Sequence, residues 1–110
     1  MKLALIAILA LLICGCASVD VTQTAKGYRP PTDPNQVEIL KTTPQRPYEE
    51  IAEITVNRFR ISQTAKMHNA LRAKAAPLGA NAVVITTEGY IPSSLPPQIW
   101  ASGVAIRWKD

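Results

Sequence analysis

The chain has 110 residues, 47% of them hydrophobic and 5% aromatic, with twelve lysines and arginines against eight acids and a formal charge of +4. That length accommodates one small domain. So mild a charge with so few aromatic residues does not make the basic and aromatic interleaving by which single-strand binders hold nucleic acid, and no nucleic-acid partner is expected. His68 is the only imidazole and the two cysteines sit near the start. A soft-metal site of three or four side chains cannot be assembled from them, so neither metal nor cofactor is expected.

The first segment joins Lys2 to an apolar run from Leu3 to Ile13, then Cys14-Gly15-Cys16. The run is about half of the roughly 20 residues that cross a bilayer as a helix, so it predicts a removable signal over residues 1–15. It resembles a bacterial lipoprotein signal peptide. Gly15 is small enough for a peptidase to fit the bond between Gly15 and Cys16, and the Cys16 thiol accepts a diacylglyceryl group. Cys14 fits poorly because bulky Ile13 precedes it. Acyl chains, with about 0.8 kcal/mol for each buried methylene, would hold the mature chain on a membrane. By resemblance to lipoproteins of double-membraned bacteria, Ala17 in place of aspartate directs the protein to the outer membrane, with the domain facing the periplasm. Cys14 then leaves with the signal and Cys16 is blocked, so the mature chain has no free thiol and no disulfide.

Residues 16–35 are predicted to be a lipidated N-terminus and a tether, because Pro30, Pro31 and Pro34 favour extended geometry without backbone donors. Residues 36–110 form the domain. Val37 to Lys41 predicts a strand bounded by Pro34 and Pro44. Tyr48 to Phe59 predicts a second, since Ala52, Ile54 and Val56 alternate with Glu53, Thr55 and Asn57. Glu49 and Glu53 should then share one face and Glu50 the other. Ser62 is the expected N-cap of a helix whose stripe is Met67, Leu71, Ala75 and Leu78. Gly79 is the expected C-cap, and Pro77 ends the regular helix near Ala75 or tightens it there. Asn81 to Glu88 predicts a third strand, central in the sheet, and Gly89 to Gln98 a proline loop. Ile99 to Trp108 predicts the last strand, with Trp100, Val104, Ile106 and Trp108 on one face. The order β-β-α-β-β gives an α+β domain, one helix packed on a mainly antiparallel sheet. So small a domain would gain from a partner or from self-association into a homo-oligomer.

The passage Leu71-Arg-Ala-Lys-Ala-Ala-Pro-Leu-Gly-Ala-Asn-Ala-Val-Val84 and the closing Ala101-Ser-Gly-Val-Ala-Ile-Arg107 resemble the YbjQ-like family. Those small α+β proteins have a helix, then Leu-Gly-Ala-Asn-Ala-Val-Val, then a strand with a Gly-x-Ala-Val core. The Rcs stress-sensing outer-membrane lipoproteins are similar to that family in fold, and they too join a lipid anchor, a proline-containing tether and a small domain. The resemblance runs from about Val37 to Trp108.

Two groups of residues stand out as contact candidates. Arg58, Arg60, Lys66, Arg72 and Lys74 lie in a stretch without acids between Glu53 and Glu88, suited to the phosphates of an anionic lipid surface. Tyr90, Ile91, Trp100 and Trp108 are candidates for a partner patch, because two tryptophans about 26 Å apart on one strand exceed the core of a small domain. His68, beside Met67 and Leu71, is expected to be a half-exposed helix residue. There is no nucleophile elbow, phosphate loop or paired-acid pattern, so no enzyme is expected. The expected function is that of a non-enzymatic outer-membrane lipoprotein whose periplasmic domain binds another envelope component, as a sensor or assembly accessory. The alternative is a module holding anionic lipid or lipopolysaccharide phosphates through the basic stretch.

Overall fold

Alternating apolar residues build the longest strand, β3 (Tyr48–Arg60), in the computed structural model, which describes residues 18–93 and 95–109. The signal peptide with Gly15 and Cys16 lies outside the described residues. The other strands are β1 (Ser18–Gln23), β2 (Glu38–Leu40), β4 (Ala82–Ile91) and β5 (Gln98–Trp108), and α1 (Thr64–Ala75) is the one α-helix among the described residues. They make a five-stranded sheet in the order β1-β3-β5-β4-β2. Three pairings are antiparallel and β2 runs parallel to β4. The domain is α+β, with a mixed sheet.

One face of the sheet is covered by α1. Met67, Leu71 and Ala75 from the helix meet Ile54, Val56, Val83, Ile85, Ala101 and Ala105 from the strands, all of them buried. Ala101, Gly103 and Ala105 keep the centre of the sheet low, so the helix approaches closely. A Cβ at Gly103 would stand 2.7 Å from Val83 Cγ1. The opposite face carries a smaller cluster, in which Ala82, Val84 and Ile106 are buried and Leu40, Tyr48, Val104 and Trp108 are partly buried.

Beyond Ala75 the chain tightens into a short 3-10 turn, Ala76–Leu78, as the Pro77 ring requires, and ends on Gly79 at φ +87°. The helix start differs from the expected Ser62 cap. Ser62 lies inside a 3-10 turn, Ile61–Gln63, in which the Gln63 side-chain oxygen accepts from Arg60 N at 3.0 Å.

The expected tether is the larger correction. Ser18–Gln23 is an edge strand paired with β3, with Val19 opposite Val56 and Val21 opposite Ile54. Residues 24–35 are also tied down. Thr24 N and Ala25 N donate to Ile51 O, Thr32 N donates to Ala76 O, and the Arg29 guanidinium pairs with Glu49. Prolines remove donors but leave these residues free to bond from the side, so the domain begins no later than Ser18.

Two smaller expectations also change, and a third is refined. β4 lies inside the sheet between β5 and β2, as expected, but the middle strand is β5, because β1 adds a fifth strand beyond β3. The strand begun at Ala82 continues through Gly89 to Ile91, so the loop is confined to residues 92–97. A register shift between Glu50 and Ala52 places Glu50 opposite Ile106 and Glu53 opposite Val104, on one face, with Glu49 opposite Arg107 on the other. The extra residue at the bulge reverses the simple alternation.

Candidate functional site

β2 pairs with β4 only from Ala82 to Val84. From Ile85 to Ile91 the outer side of β4 has no neighbouring strand among the described residues, and the backbone groups directed outward there are open to a partner. Beside that edge lies a groove of about 350 Å³ lined by Lys41, Thr64, Met67, Glu88, Gly89, Tyr90, Ile99 and Trp100. Met67 and Ile99 give it an apolar floor, and the charged rim is centred on Glu88. That carboxylate stands 3.6 Å from Lys41 Nζ and 3.4 Å from His68 Nε2. His68 is thus held across the helix-strand seam, with a side chain 17% exposed.

Gly89 is required by the ring beside it. A Cβ there would meet Trp100 Nε1 at 2.0 Å, so the indole lies flat across the glycine and closes one wall of the groove. Gly89→Ala should push the indole outward, destabilising the domain by about 1–3 kcal/mol as overpacking does. Tryptophan emission, recorded in a Trp108→Phe background to isolate Trp100, should shift to longer wavelength; an unchanged spectrum would contradict this packing.

The four residues expected to form one partner patch are divided. Tyr90, Ile91 and Trp100 gather at the end of the sheet where β4 passes into β5. Trp108 is at the opposite end, packed on the Ala82, Val84 and Ile106 cluster, with the Arg46 guanidinium 4.4 Å above its ring.

The basic stretch is divided as well, because the chain reverses at Ile61–Gln63. Arg58 and Arg60 end β3, and Lys66 follows in the first turn of α1. Arg72 and Lys74 lie in the last turn. Arg72 is committed to the fold, donating from Nε to Val37 O at 3.0 Å and from Nη1 to Asn69 Oδ1 at 2.7 Å. Arg58 occupies the second bulge of β3 at φ +65°. A non-glycine residue in the left-handed region costs about 1–2 kcal/mol, tolerated where the surroundings fix it. Arg58, Arg60, Gln63, Pro96 and Gln98 line a recess of about 450 Å³. Neither arginine has an acidic partner among the described residues.

Sequence reading did not single out Lys41, Glu88, Ile61 or Leu95. Leu95, an apolar residue isolated among prolines, is 96% exposed, and that isolation was the available signal. Among the described residues no group of three or more His, Cys, Asp or Glu is placed to hold a metal ion, and no helix is long and apolar enough to cross a membrane.

No family model and no curated protein matches the chain. Among solved structures it is similar to the crystal structure of the Francisella virulence factor FvfA, with a TM-score of 0.64 at 17% identity, over 86% of this chain and 99% of that one. At that identity the likeness is one of fold.

Proposed function

We propose that the chain is a non-enzymatic lipoprotein of the outer membrane, anchored through Cys16, whose periplasmic domain binds another envelope protein. The observation that carries the binding role is the open outer edge of β4, Ile85 to Ile91, running beside a groove with apolar floor and charged rim. An extended segment laid along such an edge gains main-chain hydrogen bonds, and a groove beside it selects the side chains. The exposed edge carries Thr86, Thr87, Glu88 and Tyr90, which keep it soluble until a partner arrives. The anchor rests on the Leu3 to Cys16 pattern. Kinship to the YbjQ-like proteins rests on the Leu78-Gly79-Ala80-Asn81 passage and the Ala101 to Arg107 strand, whose residues serve packing and helix termination.

Two measurements test this. Cys16→Ser should abolish acylation and cleavage after Gly15, leaving an unprocessed precursor; mature mass and outer-membrane recovery of that variant would refute the anchor. A photo-reactive phenylalanine analogue at Tyr90 in the full chain should crosslink to an envelope protein in cells. The same probe at Tyr28, 84% exposed and set beside Pro77 and Leu78 at the other end of the molecule from Tyr90, serves as the control. Equal yields at the two positions would refute the β4 edge as the binding site.

A further inference from the structure

We infer that the end of the sheet carrying Arg58, Arg60, Ile61 and Leu95 is a membrane-docking surface, lying on the phospholipid leaflet that holds the protein's own acyl chains. This surface depends on Cys16 being the lipidated residue. Ala17 alone separates Cys16 from Ser18, the first residue of β1, so at most about 7 Å of chain joins the anchor to the folded sheet. There is no room for the domain to stand off the membrane, and the end of the sheet where β1 begins must face the lipid.

The residues at that end suit it. Ser18 is opposite Asn57, and the pairs Arg60 with Gln98 and Ile91 with Gln98 finish the neighbouring strands at the same level. Of the six exposed large hydrophobic residues among those described, Ile61, Ile91 and Leu95 lie at this end; Tyr90 lines the groove beside the β4 edge, and Val21 and Tyr28 lie elsewhere. Leu95, at the turn between β4 and β5, and Ile61, at the turn between β3 and α1, are exposed apolar residues that adjoin Pro96 and Arg60, two of the residues lining the recess. Apolar points beside guanidinium groups match an interfacial layer, where the side chains enter the acyl boundary and the arginines pair with phosphates. Lys66 adds a third positive charge in the first turn of α1. No acid occurs between Glu53 and Glu88 or in residues 92–97, so Asp20, opposite Thr55 on β1, is the acid nearest this end in those strands and is outnumbered by Arg58, Arg60 and Lys66. The left-handed Arg58 at the bulge is accounted for, since the bulge re-aims that side chain into the recess.

The test uses the mature lipidated chain in vesicles of phosphatidylethanolamine and phosphatidylglycerol. The mature chain has no other thiol, so Leu95→Cys and Tyr28→Cys each accept one environment-sensitive fluorophore. Both positions are exposed, at 96% and 84%, and tolerate the change. They are separated by about 35 Å along β3 at strand rise. Quenching by lipids labelled near the headgroup should be several-fold greater at residue 95 than at residue 28. It should fall several-fold when Arg58→Glu and Arg60→Glu are combined. Equal quenching at the two positions, with acyl mass present on Cys16, would overturn the docking surface and leave the lipoprotein reading standing. Absence of acyl mass would overturn the lipoprotein reading, and the docking surface with it.

Discussion

Gly79→Val is expected to be among the most damaging single substitutions in the domain, for reasons that add. Gly79 sits at φ +87°, where a β-branched side chain clashes with its own backbone. A Cβ built there would also stand 2.6 Å from Arg29 Cβ and 2.9 Å from Pro30 O. The second contact is with backbone and cannot be relieved by a rotamer change. Gly79 O further accepts from Arg107 Nη1 at 2.7 Å, a bond that joins the helix exit to β5 and would be lost if the turn moved. Strain of about 1–3 kcal/mol plus an overpacking term of similar size gives a loss of about 2–6 kcal/mol. Thermal melts of Gly79→Val and Gly89→Ala would separate a backbone clash from the displacement of one indole. Equal melting temperatures would refute the account of Gly79, and with it the reading of Leu78 to Asn81 as architecture.

That turn was legible in the sequence because helices commonly end on a left-handed residue, and a glycine directly after a helical stripe supplies it without strain. β3, α1 and β5 were legible because each has one strong period over many residues. β1 was hidden by its neighbours. Ser18-Val-Asp-Val-Thr22 alternates as a strand should, yet the prolines that follow imposed a tether on the whole segment. The partner that makes it a strand, Ala52 to Asn57, lies 29 to 39 residues on, from Gln23 opposite Ala52 to Ser18 opposite Asn57. Pairing at that distance cannot be read from local composition.

The site was less legible than the fold. Arg58 to Lys74 is one basic stretch in sequence and two ends of the molecule in space, because the turn at Ile61–Gln63 sends α1 back along the sheet. Gly89 reads locally as the start of a loop, since glycine weakens strands, although a strand glycine also marks close approach, here of Trp100. The open edge of β4 depends on β2 being only three residues long, a boundary that periodicity does not fix. Each of these failures concerns where two remote segments meet, while each success concerns one segment alone.

Leu71→Ala should remove the central plug between α1 and the sheet. Leu71 is fully buried, one turn after Met67 and one before Ala75, and the residues around it in the core come from β3, β4 and β5. Alanines at 75, 76, 101 and 105 supply small side chains to the interface, and the larger neighbours from the sheet, Ile54, Val56, Val83 and Ile85, are held by their strands, so the space is filled only in part. The cost should therefore lie toward the upper part of the usual range of about 2–5 kcal/mol. For a domain of this size each 1 kcal/mol lowers the melting temperature by about 4–8 °C, so a fall of more than about 10 °C is expected. Lys74→Ala, exposed on the same helix, should change it by little, since surface substitutions usually stay within about 0.5 kcal/mol. The pair also tests whether β1 belongs to the cooperative unit. Hydrogen exchange should show amides of Asp20 and Thr22, which face β3 in the register that Thr24 N to Ile51 O continues, losing protection together with those of Val56 and Val83 in Leu71→Ala. Selective loss in the helix and sheet with β1 unchanged would mean that Ser18–Gln23 folds apart from the core, and the anchor would then be joined to the domain less rigidly than the pairing with β3 requires.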